Sequence, residues 1–389
     1  MRIGIITGEY PPMEGGVGAF TQELSLALHD LGHQIHILTT GTGAAGGETV
    51  EAGLRVHRTV PQWGLPGIRQ AYGWLRALSP DVVSLQYEPA AYDMKGWITS
   101  LPRLLQRGPR PPLVITFHDL LPPYLFPKAG PLRQWSIRQL ARRAAGCIVT
   151  NREDQQALTP VLGPAAPPTR LIPIGSNIAT ELPADYDRVR TRNRYGFGPQ
   201  DLVVGFFGFM NRSKGIETLL EAVAHLRDAG HPIHLLLIGG RTGTSDAANA
   251  QYADEVDELI RDLHLESHTH RTGFAAQQDV SAALRAIDVC ALPYRDGASL
   301  RRGTLHAALA HGTAIVTTTP NVPVAELQDE AVALFVPPEA PPALAEAILQ
   351  LGSDPGLRLR LSTAAAKLAG KFSWPAIAAE TAAFFETLQ

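Results

Sequence analysis

Short runs rich in β-branched residues alternate with segments long enough to hold a helix, and the whole alternation occurs twice along the chain. RIGIIT, HQIHILTT, LRVHRTV, DVVSLQY, LVITFHD and GCIVTN form the first series, closed near residue 178 by RLIPIGSNI. DLVVGFFGF, HPIHLLLIGG, HTHRTGF, DVCALPY, AIVTTT and AVALFV form the second. Strands joined through helices pair side by side in one direction, so each series implies a parallel sheet wrapped by helices. The passage from Ala179 to Gln200 is charged and irregular and reads as the connection between two domains. The expected fold is therefore α/β, with two doubly wound, Rossmann-like domains at 1–180 and 181–372 facing across a cleft. A last helix, 373–389, is capped by Ser373 and crosses back to the first domain. A length of 389 residues agrees, since single cores stop growing near ~250–300 residues.

Composition narrows the function. A formal charge of -3 excludes nucleic-acid binding as the main role, which needs a strongly basic face. Cys147 and Cys290 each sit in a short apolar run without metal or redox spacing, so both read as buried residues of a reducing compartment. The start, MRIGIITGEYPP, is a strand running into a turn, and no stretch reaches ~18 apolar residues. A soluble cytoplasmic protein is expected, at most peripheral to the inner face of a membrane. The segment PLRQWSIRQLARRAAG offers one such contact, with Arg138, Arg142 and Arg143 beside Trp135, Ile137 and Leu140; a solvated helix face is the other reading.

In open α/β sheets ligands bind beyond the carboxyl ends of the strands, so the loops there hold the candidates. The stretch from Leu292 to Thr318 runs strand, polar loop, helix, strand, with Ser299 as the expected N-cap, Arg301 and Arg302 adding charge, and Gly312 closing the helix. A helix N-terminus reached from a loop suits a phosphate. Gly15, Gly16, Val17 and Gly18 follow the first strand and leave N–H groups free for a ligand. In VVGFFGFMNRSKGIETLLEAV, Arg212 and Lys214 stand just before a helix, an arrangement suited to a diphosphate. His118 ends LVITFHD, where it can donate to a sugar hydroxyl or a phosphate with Asp119 orienting it. Asp185 and Asp187 look like an Asp-x-Asp metal site but lie in the irregular passage, and no metal is assigned to them.

Taken together the chain resembles the retaining, GT-B fold glycosyltransferases of family 4. The likeness spans both halves: the Gly15–Gly18 loop, VITFHD, LIPIGSNI, GFFGFMNRSKGIETLLEAV, GFAAQQDVSAALRAIDVCALPY, ALAHGTAIVTTT and FSWPAIAAET. It implies transfer of a hexose from a nucleotide diphosphate sugar to a hydroxyl of a glycan, a lipid-linked sugar or a small polyol, without metal or other cofactor. It also implies roles. Gly16, Val17 and Gly18 approach the donor phosphates or the acceptor, His118 contacts the donor sugar, and Lys214 neutralises the diphosphate. Asp119, Arg212 and the DGASLRRGT loop, with Asp296, Ser299, Leu300, Arg301, Arg302, Gly303 and Thr304, line the donor site.

Two departures touch that site. Phe209 stands where relatives carry an arginine, leaving Arg212 as the expected substitute. Ser299 and Ala307 stand where relatives carry a pair of glutamates, and moving the register to Asp296 restores only one acid. A lost ribose hydrogen bond is worth about 0.5–1.5 kcal/mol, or about 1.5–3 when charged, which leaves donor identity open. On this reading Arg301 and Arg302 compensate for Phe209 at the diphosphate, or contact an anionic group of the donor or acceptor. The rival reading is a catalytically impaired member that binds a sugar nucleotide or serves as a scaffold. A nicotinamide-dependent oxidoreductase is disfavoured because no G-x-G-x-x-G follows any strand.

Overall fold

A computed structural model describes residues 1–13, 15–41, 46–94, 96–105, 111–118, 120, 130–163, 166–241 and 247–389. Within it the chain forms two units: Met1–Gly175 with Ser373–Gln389, and Ser176–Phe372.

The sheet of unit 1 is built from β1 (Arg2–Ile6), β2 (Gln34–Thr40), β3 (Gly47–Glu51), β4 (Leu54–Val60), β5 (Val82–Tyr87), β6 (Leu113–Phe117), β7 (Gly146–Val149) and β8 (Thr169–Leu171). Their order is β3-β4-β2-β1-β5-β6-β7-β8, parallel throughout except where β3 folds back on β4. That hairpin was not expected from the sequence, because GETVE lacks an apolar face and Val50 is exposed. The turn makes it, with Ala52 and Gly53 both at positive φ, 47° and 84°, as a tight two-residue hairpin requires. β5 and β6 are buried on both faces, as helices on either side of a parallel sheet demand.

Helix Gly16–Asp30 and the terminal helix Trp374–Glu386 cover one face of this sheet together. Phe20, Leu24 and Leu28 from the first share a core cluster with Ile377, Ala378, Phe384 and Phe385 from the second. Each such buried side chain contributes roughly 1.5–3 kcal/mol. Gly146 allows β7 to approach closely, since a Cβ there would meet the Phe384 ring at 2.7 Å. Ser373 stands at the N-cap of the terminal helix as expected, but its side chain makes no capping bond.

Unit 2 contains β9 (Leu202–Phe207), β10 (Ile233–Ile238), β11 (Thr269–Gly273), β12 (Val289–Leu292), β13 (Ile315–Thr318) and β14 (Leu334–Val336). All are parallel, in the order β11-β10-β9-β12-β13-β14. Counted within the unit this is 3-2-1-4-5-6, the dinucleotide-fold order, whose progression across the sheet reverses between β9 and β12. The loops leaving those two strands are the phosphate candidates named above. Cys147 and Cys290 are both buried and unpaired by disulfide.

Candidate functional site

Three pieces of unit 2 meet beyond the carboxyl ends of β9 and β12. Gly208, directly after β9, takes φ 117°, a conformation open to glycine. A Cβ there would lie 2.6 Å from Lys214 Nζ and 2.6 Å from Thr304 Cγ2, so the lysine ammonium and the first turn of helix Gly303–Ala310 converge over the same backbone. Gly303 and Thr304 are that helix's first residues, so their N–H groups have no partner inside it. The approach of Lys214 is set by a short turn, Arg212–Lys214, with Asn211 accepting from Ser213 N at 2.9 Å. Gly215 then reverses the chain at φ 65°, where any Cβ would strike Pro293 O.

Lys214 donates to Phe209 O at 2.8 Å. Burial first, then the nearby Arg302 charge, pull its pKa down to about 7, so near neutrality it stands between its two forms. The negative charge of an arriving phosphate would outweigh both effects and hold it as the ammonium. Thr304 is fixed in turn by Tyr294, whose buried hydroxyl lies 2.7 Å from Thr304 Oγ1. Burial raises the Tyr294 pKa, so this hydroxyl stays protonated.

The arginines behave differently from expectation. Arg301 and Arg302 both turn onto Asp296, Arg302 with one contact at 2.6 Å. Arg302 also donates to Ser213 Oγ at 3.1 Å and lies over the Tyr294 ring at 4.9 Å. They share this one carboxylate, because it lies just ahead of them in sequence and the loop curls around it. Arg212, expected to stand in for the arginine missing at Phe209, instead pairs with Glu255 and stacks on Tyr252 at 5.0 Å. Ser299 is not the helix cap either: Arg302 occupies that position, and Ser299 Oγ accepts a long bond, 3.4 Å, from Arg301 N. The helix starts late because Gly297, at φ 79°, and Ala298, whose N–H pairs with Thr318 O at 3.2 Å, tie the loop to the end of β13. Leu300 is held from the other side, its carbonyl 2.8 Å from His306 Nε2. Ser299 and Ala307, which align with the family's glutamates, are both buried.

In unit 1 the glycine loop opens helix Gly16–Asp30, but its Val17 and Gly18 amides are taken. Glu9 Oε1 accepts from Val17 N at 2.9 Å and Gly18 N at 3.0 Å. A carboxylate at a helix N-terminus satisfies the dipole as an external anion would. Gly15 lacks a side chain for the same reason, since a Cβ there would overlap the Glu9 carboxylate. Nothing in the TGEYPP stretch marks this glutamate as a cap before the turn is folded.

His118 stands at the end of β6 with Gln86 Oε1 2.9 Å from its Nε2, while Gln86 Nε2 donates to Ser84 Oγ at 2.9 Å. The amide so oriented makes Nε2 the protonated nitrogen. Phe20 packs edge-on to the imidazole at 4.7 Å and to Trp374 at 5.4 Å. Burial drops the His118 pKa to about 3, so it is neutral throughout the physiological range. Gln86, near the end of DVVSLQY, orients the ring; Asp119, from which that role was expected, lies outside the described residues.

Two further motifs have structural explanations. Asp187 caps helix Arg188–Arg194, accepting from Arg190 N at 2.7 Å, and Asp185 pairs with Arg190 at 3.5 Å. In helix Gly130–Ala141, Ile137 and Leu140 face the core of unit 1 rather than a surface, while Trp135 is exposed. Among the described residues no helix is long and apolar enough to cross a membrane.

Comparison with known proteins agrees with this architecture. Residues 15–175 match the Glycosyl transferase 4-like domain, and residues 201–354 match Glycosyl transferases group 1. The chain is similar to D-inositol 3-phosphate glycosyltransferase of Corynebacterium kroppenstedtii, 26% identical over 424 residues that cover 99% of this chain and 89% of that protein. It is also similar to Alpha-D-kanosaminyltransferase of Streptomyces kanamyceticus, 25% identical with 76% of each chain covered. Sucrose-phosphate synthase from Thermosynechococcus elongatus superposes with a TM-score of 0.81 at 20% identity, over 100% of this chain and 99% of that one. Anabaena HepE in complex with UDP and glucose gives 0.78 at 19% identity, with 100% of both covered. Two Rossmann-like units of this order, with a basic loop and a helix N-terminus at the strand ends of the second, define a GT-B glycosyltransferase. The chain belongs to the family 4 glycosyltransferases, whose group 1 domain is its second unit.

Proposed function

We propose that the chain takes a hexose from a nucleotide diphosphate sugar and delivers it, with retention at the anomeric carbon, to a hydroxyl of a glycan, a lipid-linked sugar or a small polyol. The observation that carries this reading is the meeting of Lys214 and the Thr304 helix turn over Gly208, a cation and a dipole aimed at one spot. As the glycosidic bond breaks, charge gathers on the leaving diphosphate, and groups already in place there lower the barrier. Protonated Lys214 and the Gly303 and Thr304 amides supply that stabilisation without a metal or other cofactor. Phe209 and exposed Phe274 flank Gly240, a Cβ on which would lie 3.2 Å and 3.8 Å from their rings, and this supports an aromatic wall for the nucleoside base. The names of the relatives favour a polyol or sugar acceptor, and the reaction would take place in the cytoplasm or at the inner face of a membrane.

A second reading, a member that binds sugar nucleotide without efficient transfer, is favoured by Asp296 being tied to two arginines, so that this carboxylate is not free to replace the expected glutamates. Incubating the protein with labelled uridine, guanosine and adenosine diphosphate sugars, in chelator, separates the two. Slow release of free sugar, lost in Lys214→Ala, supports transfer. Binding without any turnover supports the second reading, and no binding of any nucleotide refutes both.

A further inference from the structure

At the other edge of the unit 2 sheet a cavity of about 460 Å³ opens beside the amino ends of β12 and β13, where Asp288, Thr313 and Ala314 lie just before the strands. Lys214 and Thr304 stand at the carboxyl ends of the same parallel sheet, so the cavity is separate from the donor site. Its volume lies within the range of small-molecule pockets, about 300–1,000 Å³.

Its charge is unbalanced. Arg188, Arg285 and Arg358 line it, with Asp288 as the carboxylate in the lining. Asp288 already serves Arg188 at 2.7 Å and Arg192 at 3.0 Å. The nearby Asp187 and Asp354 act as helix caps, accepting from Arg190 N at 2.7 Å and Leu357 N at 2.9 Å. Arg285 and Arg358 are each pinned through Nη1 to carbonyl oxygens, Arg285 to His311 O at 2.8 Å and Arg358 to Leu351 O and, at 2.7 Å, to Gly352 O. A carbonyl orients a guanidinium without neutralising it, so two cations are held in place with charge unanswered. His311 adds no acceptor, because Nε2 lies 2.8 Å from Ser281 Oγ and Nδ1 2.8 Å from Ala307 O. Tyr186 is also in the lining, and its hydroxyl is buried with no hydrogen-bond partner among the described residues. Leu284, Ile287 and the exposed Leu359 make an apolar wall beside these donors.

We propose that this cavity binds a phosphate monoester on a small organic body, with Arg285 and Arg358 gripping the dianion and the leucine wall packing the body. Planar guanidiniums fixed at one nitrogen present their remaining N–H groups in the fork that phosphate oxygens fit. A free sugar phosphate and the headgroup of phosphatidic acid share this chemistry.

The test is calorimetry of the full chain with glucose 6-phosphate and with phenyl phosphate, and sedimentation with phosphatidic acid vesicles. The variants are Lys214→Ala, Arg285→Gln and Leu359→Glu. Leu359 is 69% exposed, so its substitution leaves the core intact and sets a carboxylate at the cavity. The expected result is saturable one-to-one binding that survives Lys214→Ala and weakens by about tenfold or more in Leu359→Glu and Arg285→Gln. Vesicle binding that Leu359→Glu abolishes, without binding of either free ester, supports the site and assigns it to lipid. No saturable binding of any probe up to about 10 mM, equal binding by Leu359→Glu, or loss of binding in Lys214→Ala overturns the proposal.

Discussion

If Lys214 meets the donor diphosphate as an ammonium, nucleotide affinity must depend on pH in a way set by its depressed pKa. With that pKa near 7 in the free protein, the site must take up a proton before or as it binds. The sign follows directly: a dianion favours the charged lysine, so the bound pKa is higher than the free one, and affinity falls as pH rises above 7. At pH 7.5 about a quarter of the molecules carry the charge and at pH 9 about 1% do, so the dissociation constant should rise roughly 25-fold, or ~1.9 kcal/mol, between them. Above pH 7 the phosphates are already ionised, since a second phosphate pKa lies near ~6. Tyr294, against this loop, is raised by burial and His306, on its other side, is lowered to about 4, so neither titrates in the window. Calorimetry of nucleoside diphosphate binding across pH 7.5–9, in buffers of different ionisation enthalpy, reads both the affinity and the proton taken up. Lys214→Met should bind more weakly at pH 7.5 and lose the slope. A wild-type affinity constant within about threefold over the range, or the same slope in Lys214→Met, would refute the role given to this lysine.

Three more outcomes follow from the geometry. Gly215→Ala combines positive φ with a Cβ on Pro293 O and should cost about 2–4 kcal/mol in urea unfolding, whereas Gly230→Ala, at φ 84° but in open space, should cost only about 1–2; equal losses would show that φ alone matters. His306, buried and neutral with its pKa lowered to about 4, gives stability that is complete above pH 6.5 and drains as pH falls toward 4, about 2 kcal/mol of it by pH 5, so the difference from His306→Gln should shrink by that amount between pH 7 and 5. Glu9→Gln keeps the shape of the helix Gly16–Asp30 cap but removes its charge, and should cost about 1 kcal/mol in thermal unfolding at low salt with donor binding unchanged; a weakened donor affinity would show that this carboxylate acts on the ligand.

What the sequence discloses and what it hides divide along the distance over which each feature is decided. The sheets were legible because a run such as LVVGFF or VVSLQY carries its own reason to be a buried strand, and β3 was missed because its reason lies in the Ala52–Gly53 turn instead. Lys214 was legible for a similar cause, since the NRSKG turn and the strand before it fix where the lysine lands. Charge was not. Arg212, Arg301 and Arg302 each read as a cation near a phosphate site, yet a cation's usefulness depends on whether an acid reaches it first, and Glu255 and Asp296 do so only once helix and loop have folded. The glycine loop shows the same limit, because Glu9 reaches the Val17 and Gly18 amides only once the turn has folded. The same reasoning singles out Lys214: its ammonium rests on a carbonyl, Phe209 O, and so still has its charge to give when a diphosphate arrives. On the proposed function, with Asp296 shared by Arg301 and Arg302, anion recognition falls to one lysine and one helix end. For that reason the pH dependence of a single residue is a sharper test of this enzyme than the removal of any arginine.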